Sequence, residues 1–222
     1  MPYKLNSFFD KIIGELEDKT ITTFYGSPGS GKSTLCFQYT AEVIKEGKKV
    51  IFIDTEGGFS PNRILQIDPN CNLSNILVYS PKSFSQQHKT IISLNKEIKN
   101  TNQIGLIVID SLVMLYRLKL GSAPQKINKE LGEQLRMLTE LSRTYSIPVI
   151  ATNQMYKSFD TKESKMVGGL TIEYWSKTIV ELNYENSIRT LKLIKHKSKK
   201  EGEEKEFEID NKGIKEKLAN NY

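Results

Sequence analysis

The chain reads as short apolar runs separated by segments of helical spacing. Residues 21–25 are β-branched and aromatic and predict a strand. A glycine-rich turn over 26–31 interrupts it. Residues 32–46 then place apolar side chains at helical spacing and stop at Gly47, a residue type favoured just past a helix end. Residues 50–53 predict a second buried strand, closing on Asp54-Thr55-Glu56-Gly57-Gly58. Pro61 opens a short helix, because proline suits the first helical position. A strand over 76–79 and a helix over 83–98 follow. Residues 104–109 are apolar apart from Gly105, the mark of a strand buried on both faces. A long amphipathic helix over 125–145 leads to a fifth strand over 147–151. This alternation predicts an α/β fold: a mostly parallel sheet, helices on both faces, right-handed crossovers.

The rhythm changes after Thr152. Residues 155–167 are polar and charged and read as a mobile loop. Residues 178–183, 189–194 and 206–209 alternate and predict an antiparallel C-terminal extension of the sheet, with a turn near Glu185-Asn186. With no internal repeat or composition break, the expectation is one domain over 1–222, carrying a basic hairpin around 187–210.

The length, 222 residues, suits one α/β domain with a real core. The longest clean apolar run, Leu106-Ile107-Val108-Ile109, is far too short to span a bilayer. The first residues offer no secretory apolar core, so the expected location is the cytoplasm, with no membrane partner. Cys36 and Cys71 lie far apart without metal spacing and read as free thiols. The formal net charge is +6. Attraction to a polyanion and a merely lysine-rich composition explain that value equally well. Lys192, Lys195, Lys197, Lys199 and Lys200 cluster around His196 and are followed by Glu201, Glu203 and Glu204. A block of this kind is usually a solvated loop or strand edge.

Candidate chemistry begins at Gly26-Ser27-Pro28-Gly29-Ser30-Gly31-Lys32-Ser33, followed by Thr34. The pattern Gly-x4-Gly-Lys-Ser between a strand and a helix is a phosphate-binding loop, here for ATP. Its glycines let backbone N–H groups turn toward phosphate oxygens, and the helix start adds its positive end. Lys32 then reaches the β- and γ-phosphates, and Ser33 gives its hydroxyl to Mg²⁺. Asp110 ends a buried strand and is the matching acidic partner for the metal. Glu56 ends the second strand, where a carboxylate can polarise the water that attacks the γ-phosphate. Thr152-Asn153-Gln154 follows the fifth strand, and its amides can touch the γ-phosphate and move the next loop. Without the glycine loop, each of these three would read as an ordinary polar strand end.

Together, GSPGSGKS, IFIDTEGGFSPNR, LIVIDS and ATNQM, in this order, resemble the ATPase core of the RecA/RadA recombinases over about residues 5–214. Within that family the short form, with KHKS at 195–198, is similar to the RadB branch of archaeal RadA paralogues. The resemblance implies a RecA-like fold with ATP and Mg²⁺ as ligands. It assigns Glu56 as the catalytic glutamate, Arg63 as the arginine packed on adenine, and Gln154 as the γ-phosphate sensor. It also implies two DNA-facing segments, 117–129 and 155–167, the second ending at Gly168-Gly169. Arg117, Lys119, Lys126, Lys157, Lys162 and Lys165 are the candidate contacts there, with Tyr156 and Phe159 for base stacking. Tyr116, Tyr174 and Trp175 suit core packing at least as well. Lys195, His196 and Lys197 either contact DNA or act on a neighbouring subunit's ATP; a solvated hairpin edge is the bland alternative.

The sequence also departs from RadA-type recombinases. Only residues 1–25 precede Gly26, so no N-terminal helix-hairpin-helix domain is expected. Phe8-Phe9-Asp10-Lys11 does not match the Phe-x-x-Ala docking segment. Lys195-His196-Lys197 stands where those filaments carry an ATP-capping aspartate, and is closer to the lysine pair of bacterial RecA. The resemblance with these departures implies a recombination accessory protein with very weak ATPase activity. Its implied partners are single-stranded or branched DNA, a RadA-type recombinase and a Holliday-junction resolvase. The alternatives are an active strand-exchange recombinase and a signalling ATPase of the same fold. The missing N-terminal parts argue against the first, and the lysine block against the second.

Overall fold

The computed structural model describes residues 3–5, 8–101, 103–157 and 164–217. Among these, ten strands join in one mixed, mostly parallel sheet in the order β10-β9-β8-β7-β1-β5-β4-β2-β3, with β6 paired to the far end of β5. The parallel part comprises β1 (Ile21–Gly26), β2 (Lys49–Asp54), β3 (Ile76–Tyr79), β4 (Ile104–Asp110), β5 (Val149–Lys157) and the start of β7 (Thr178–Glu185). The antiparallel extension adds β8 (Ile188–Lys195), β9 (Glu204–Asp210) and β10 (Gly213–Glu216). The helices are α1 (Phe8–Ile13), α2 (Lys32–Lys45), α3 (Pro61–Ile67), α4 (Phe84–Thr101), α5 (Met114–Lys119), α6 (Pro124–Tyr145) and α7 (Gly169–Trp175).

The central strands separate two apolar layers. Val50, Phe52, Leu106 and Val108 face a layer with α1 and α2, in which Phe24, Phe37 and Tyr39 are buried. Ile51, Ile53, Ile107 and Ile109 face the opposite layer with α4 and α6. Every residue of β4 is buried, as expected for a parallel strand covered on both faces. No helix among the described residues is long and apolar enough to cross a membrane.

Several elements differ from the sequence reading. β5 does not end at Ala151; it continues to Lys157 and pairs back onto β6 (Ser164–Met166), with Met155 opposite Met166. The ends of the segment expected as a mobile loop are therefore a β-ribbon. Lys162 and Phe159 lie outside the described residues. The other expected DNA-facing segment is largely helical: α5 ends at Lys119, a 3-10 turn covers Leu120–Ser122, and α6 starts at Pro124. The β7–β8 turn sits at Asn186-Ser187, one position later than expected, with φ of 50° and 64°. Tyr116 is buried, but Tyr174 is 73% exposed, so of the two readings open for it core packing does not hold. Its position on the outer face of the short helix α7 explains that difference.

Candidate nucleotide site

The sequence after β1 has little choice of backbone. Gly26 has φ of 151°, and a Cβ there would sit 1.7 Å from the Leu182 carbonyl oxygen of neighbouring β7. Gly31 has φ of 105°, and a Cβ there would press on Ile209 at 2.8 Å. These glycines let the loop close tightly against the sheet before α2 begins. Gly31 precedes α2 without a side-chain cap, and no acidic residue occupies the helix's first turn. The N–H groups there, including those of Ser33 and Thr34, suit an anion.

Lys32 folds back over the loop. Its Nζ donates to the carbonyls of Gly26 at 3.0 Å and Ser27 at 2.8 Å, and to Ser30 Oγ at 3.4 Å. Burial lowers its pKa, while the negative charges of Asp110 and Glu56 oppose that shift. A half-buried cation above an uncapped helix start is an arrangement that suits a phosphate chain.

Asp110 ends β4 and is 5% exposed. Thr152 donates its hydroxyl to Asp110 Oδ1 at 2.5 Å. Burial raises the carboxyl pKa, and hydrogen bonds from Thr152 and Ser33 pull it back. Ser33 and Asp110 therefore already face one another. Among the described residues no three His, Cys, Asp or Glu side chains gather into a metal cage. Mg²⁺ needs none: it typically takes one or two protein oxygens and completes its shell with water and phosphate. The hydroxyl–carboxylate pair thus fits this ion's chemistry.

Glu56 is held by the strand ends around it. Thr55 N donates to the Asp110 carbonyl at 2.9 Å, and the Thr55 hydroxyl bonds Ser111 at both its carbonyl and its amide. Asp54 accepts N–H bonds from Gly57 at 2.8 Å and from Gly58 and Phe59 at 3.1 Å each. These contacts fix the turn that presents the exposed Glu56 side chain beside the cleft. Gln154, in β5, donates its Nε2 to Glu56 Oε1 at 2.7 Å. Its own Oε1 accepts a hydrogen bond from Arg117.

The remaining candidates sit further out. Arg63 donates to the Asp210 carbonyl at 2.6 Å and the Asn211 carbonyl at 3.3 Å, tying α3 to the β9–β10 turn. Lys119 pairs with Glu130 at 2.9 Å, and Lys126 is exposed on the first turns of α6. Lys165 is exposed opposite Tyr156 in the β5–β6 ribbon, which Lys157 also joins. Lys195 pairs in register with Ile179, whereas Gly26 pairs with Leu182, so the Lys195–His196–Lys197 stretch lies toward the opposite end of the sheet from the phosphate loop. Each of the three has an intramolecular contact: Lys195 with the Glu173 carbonyl, Lys197 with Glu17 at 2.8 Å, and His196 Nδ1 with the amides of Ser198 and Lys199.

Some supporting residues escaped the sequence reading. Asp54 and Thr152 were legible in principle, as an Asp before Gly-Gly and a Thr ending a buried strand. A brace from the β7–β8 hairpin was not. Tyr184 N donates to Ser27 Oγ at 2.9 Å, Arg189 Nε donates to the Gly29 carbonyl at 3.2 Å, and the Arg189 guanidinium lies 4.1 Å from the centre of the Tyr184 ring.

The cleft thus brings Lys32, Ser33, Asp110, Glu56 and Gln154 to the C-terminal ends of β1, β2, β4 and β5. Residues 6–217 match the Rad51 family. The chain belongs to that family. Its relatives include the "DNA repair and recombination protein RadB" of Methanosphaera stadtmanae, 40% identical over 217 residues, covering 94% of this chain and 93% of that protein. The protein of the same name from Methanobrevibacter smithii is 41% identical over 219 residues, covering 94% and 93%. A solved structure described as the "Crystal structure of the RadB recombinase" superposes with a TM-score of 0.81 at 30% identity, over 97% of this chain and 99% of that one. This Rad51-family chain therefore falls among the RadB proteins, and the expected fold and family both hold.

Proposed function

We propose that this chain is a cytoplasmic DNA repair and recombination protein that binds ATP and DNA and turns ATP over very slowly. The gathering of Lys32, Ser33, Asp110, Glu56 and Gln154 around one cleft carries this reading. The names of its RadB relatives support the recombination role. In this reading the loop amides and Lys32 bind the phosphates, and Arg63 borders the base. Mg²⁺, held by Ser33 and Asp110, would neutralise charge between the β- and γ-phosphates. Glu56 accepts the proton of the attacking water, and Gln154 registers whether the γ-phosphate is present. Arg117, Lys119, Lys126, Lys157 and Lys165 provide the cationic surface for DNA.

The role is accessory rather than strand exchange. Lys195 and Lys197 are engaged within the chain, which speaks against a ready intersubunit ATP contact. The proposed partners are a RadA-type recombinase and a Holliday-junction resolvase acting on branched DNA. Equilibrium binding of labelled single-stranded DNA over a range of salt tests the DNA part. Each phosphate contact should contribute a slope of about −0.7 in log affinity against log salt. No binding at low salt would remove the DNA role, and filaments on DNA with ATP would replace the accessory reading with strand exchange.

A further inference from the structure

Gln154 has both ends of its amide engaged away from the phosphate loop. Nε2 bonds Glu56, and Oε1 accepts from Arg117. These residues come from the turn after β2, from β5 and from α5, and form a chain of carboxylate, amide and guanidinium beside the cleft. Its two ends differ in what lies behind them. Glu56 stands on the turn fixed by Asp54 and Thr55. Arg117 stands in the last turn of α5 with its amide bonded to the Val113 carbonyl, and its side chain is exposed.

This arrangement occupies the groups that hydrolysis would need. An amide NH2 resting on Glu56 takes up a lone pair that a water would otherwise use. The same NH2 is the group that would reach a γ-phosphate. The Gln154 amide is oriented by what its carbonyl oxygen accepts, and that donor is Arg117. The partner holding Arg117 is a neutral carbonyl oxygen. A nucleic-acid phosphate is a stronger acceptor for a guanidinium and matches its fork. An anion arriving at the exposed end of α5 therefore competes directly for Arg117.

We propose that Arg117 is a positioning residue that locks the cleft in a resting arrangement, and that a DNA phosphate recruiting Arg117 releases Gln154 and, through it, Glu56. The proposal rests on the reading of DNA as a partner and Glu56 as the base. It adds a specific connection between them, a direct side-chain link from α5 rather than a rearrangement of the β5–β6 ribbon. Because coupling is reciprocal, breaking the lock at Gln154 must also favour DNA at Arg117.

The test uses two readouts on the full chain. Without nucleotide, affinity for labelled single-stranded DNA is measured by anisotropy at low salt. Gln154→Ala should bind about threefold tighter than wild type, since Arg117 no longer leaves a partner. In steady-state turnover, Arg117→Ala should raise the DNA-free rate and erase the difference between DNA-free and DNA-saturated rates. Arg117→Lys, which keeps the charge and one donor direction, should restore part of that difference. Unchanged or weaker DNA binding by Gln154→Ala overturns the lock. So does an Arg117→Ala protein whose DNA-free rate is unchanged and whose stimulation returns at saturating DNA; Arg117 would then be an ordinary DNA contact. Wild-type protein that binds no DNA at low salt sinks the functional reading and this inference with it. Wild-type binding with an unaltered Gln154→Ala affinity sinks this inference alone.

Discussion

Replacing Asp54 with alanine should loosen the turn that carries Glu56, at a cost that follows from three hydrogen bonds. The Asp54 carboxylate accepts from Gly57, Gly58 and Phe59 at 2.8, 3.1 and 3.1 Å and is 5% exposed. Bonds from N–H to a carboxylate are each worth about 1.5–3 kcal/mol when well sheltered. Gly57 and Gly58 are exposed, so water takes over part of what the substitution removes. The net loss should be about 2 kcal/mol rather than the sheltered sum. With a urea dependence of about 2 kcal/mol per molar, the unfolding midpoint should fall by about 1 M. Asp54→Asn keeps one acceptor oxygen and should lose about half as much. ATP turnover should fall under conditions where the variant remains folded, because Glu56 loses its fixed position. Urea titration followed by far-ultraviolet circular dichroism gives the midpoint. A midpoint within about 0.2 M of wild type would refute the role given to this carboxylate.

Two further outcomes follow from the site and its surroundings. Glu56→Gln should retain ATP binding and lose turnover in a coupled phosphate-release assay; persistent turnover would move water activation to another group. Glu181 on β7 has its pKa raised, chiefly by burial, with Lys192 opposing; Tyr25 donates a hydrogen bond to its carboxylate. A carboxyl whose pKa is raised on folding holds its proton more tightly in the native state. Its contribution to stability therefore declines as pH rises from the ordinary glutamate range through the raised value. Urea midpoints measured across that window should decline less steeply for Glu181→Gln than for wild type, and parallel slopes would count against the shift.

How much of this was legible in the sequence depended on how each element is stabilised. The strands β2 and β4 stood out because both faces are covered, which makes their sequences largely apolar; β1 and the half-buried edge strand β3 stood out through β-branched and aromatic residues. α1, α5 and α7 did not, since helices of six or seven residues display too few turns for a period to emerge. β5 was cut short because its last residues, Thr152 to Lys157, are mostly polar; they belong to the cleft and the ribbon, not to the core. The candidate nucleotide site was legible where residue type and local position coincide, at Lys32 opening α2 and at Asp110 and Glu56 at or just past a strand end. The links among these groups were not. The Arg117–Gln154 bond joins residues 37 apart, and the Arg189–Gly29 bond joins residues 160 apart. Such pairings exist only once the strand order is set. The lysine block shows the converse. Its charge suggested a free basic surface, yet Lys197 pairs with Glu17, and Lys199 Nζ donates to the Asp10 and Lys11 carbonyls near the end of α1.

The central claim is that the loop between β1 and α2 binds ATP through Lys32. Isothermal titration of ATP with Mg²⁺ into wild-type protein and Lys32→Ala tests it most directly. The account predicts saturable, one-site binding by the wild type, weakened when Mg²⁺ is withheld, and no measurable binding by Lys32→Ala. Equal affinity in the two proteins would contradict it.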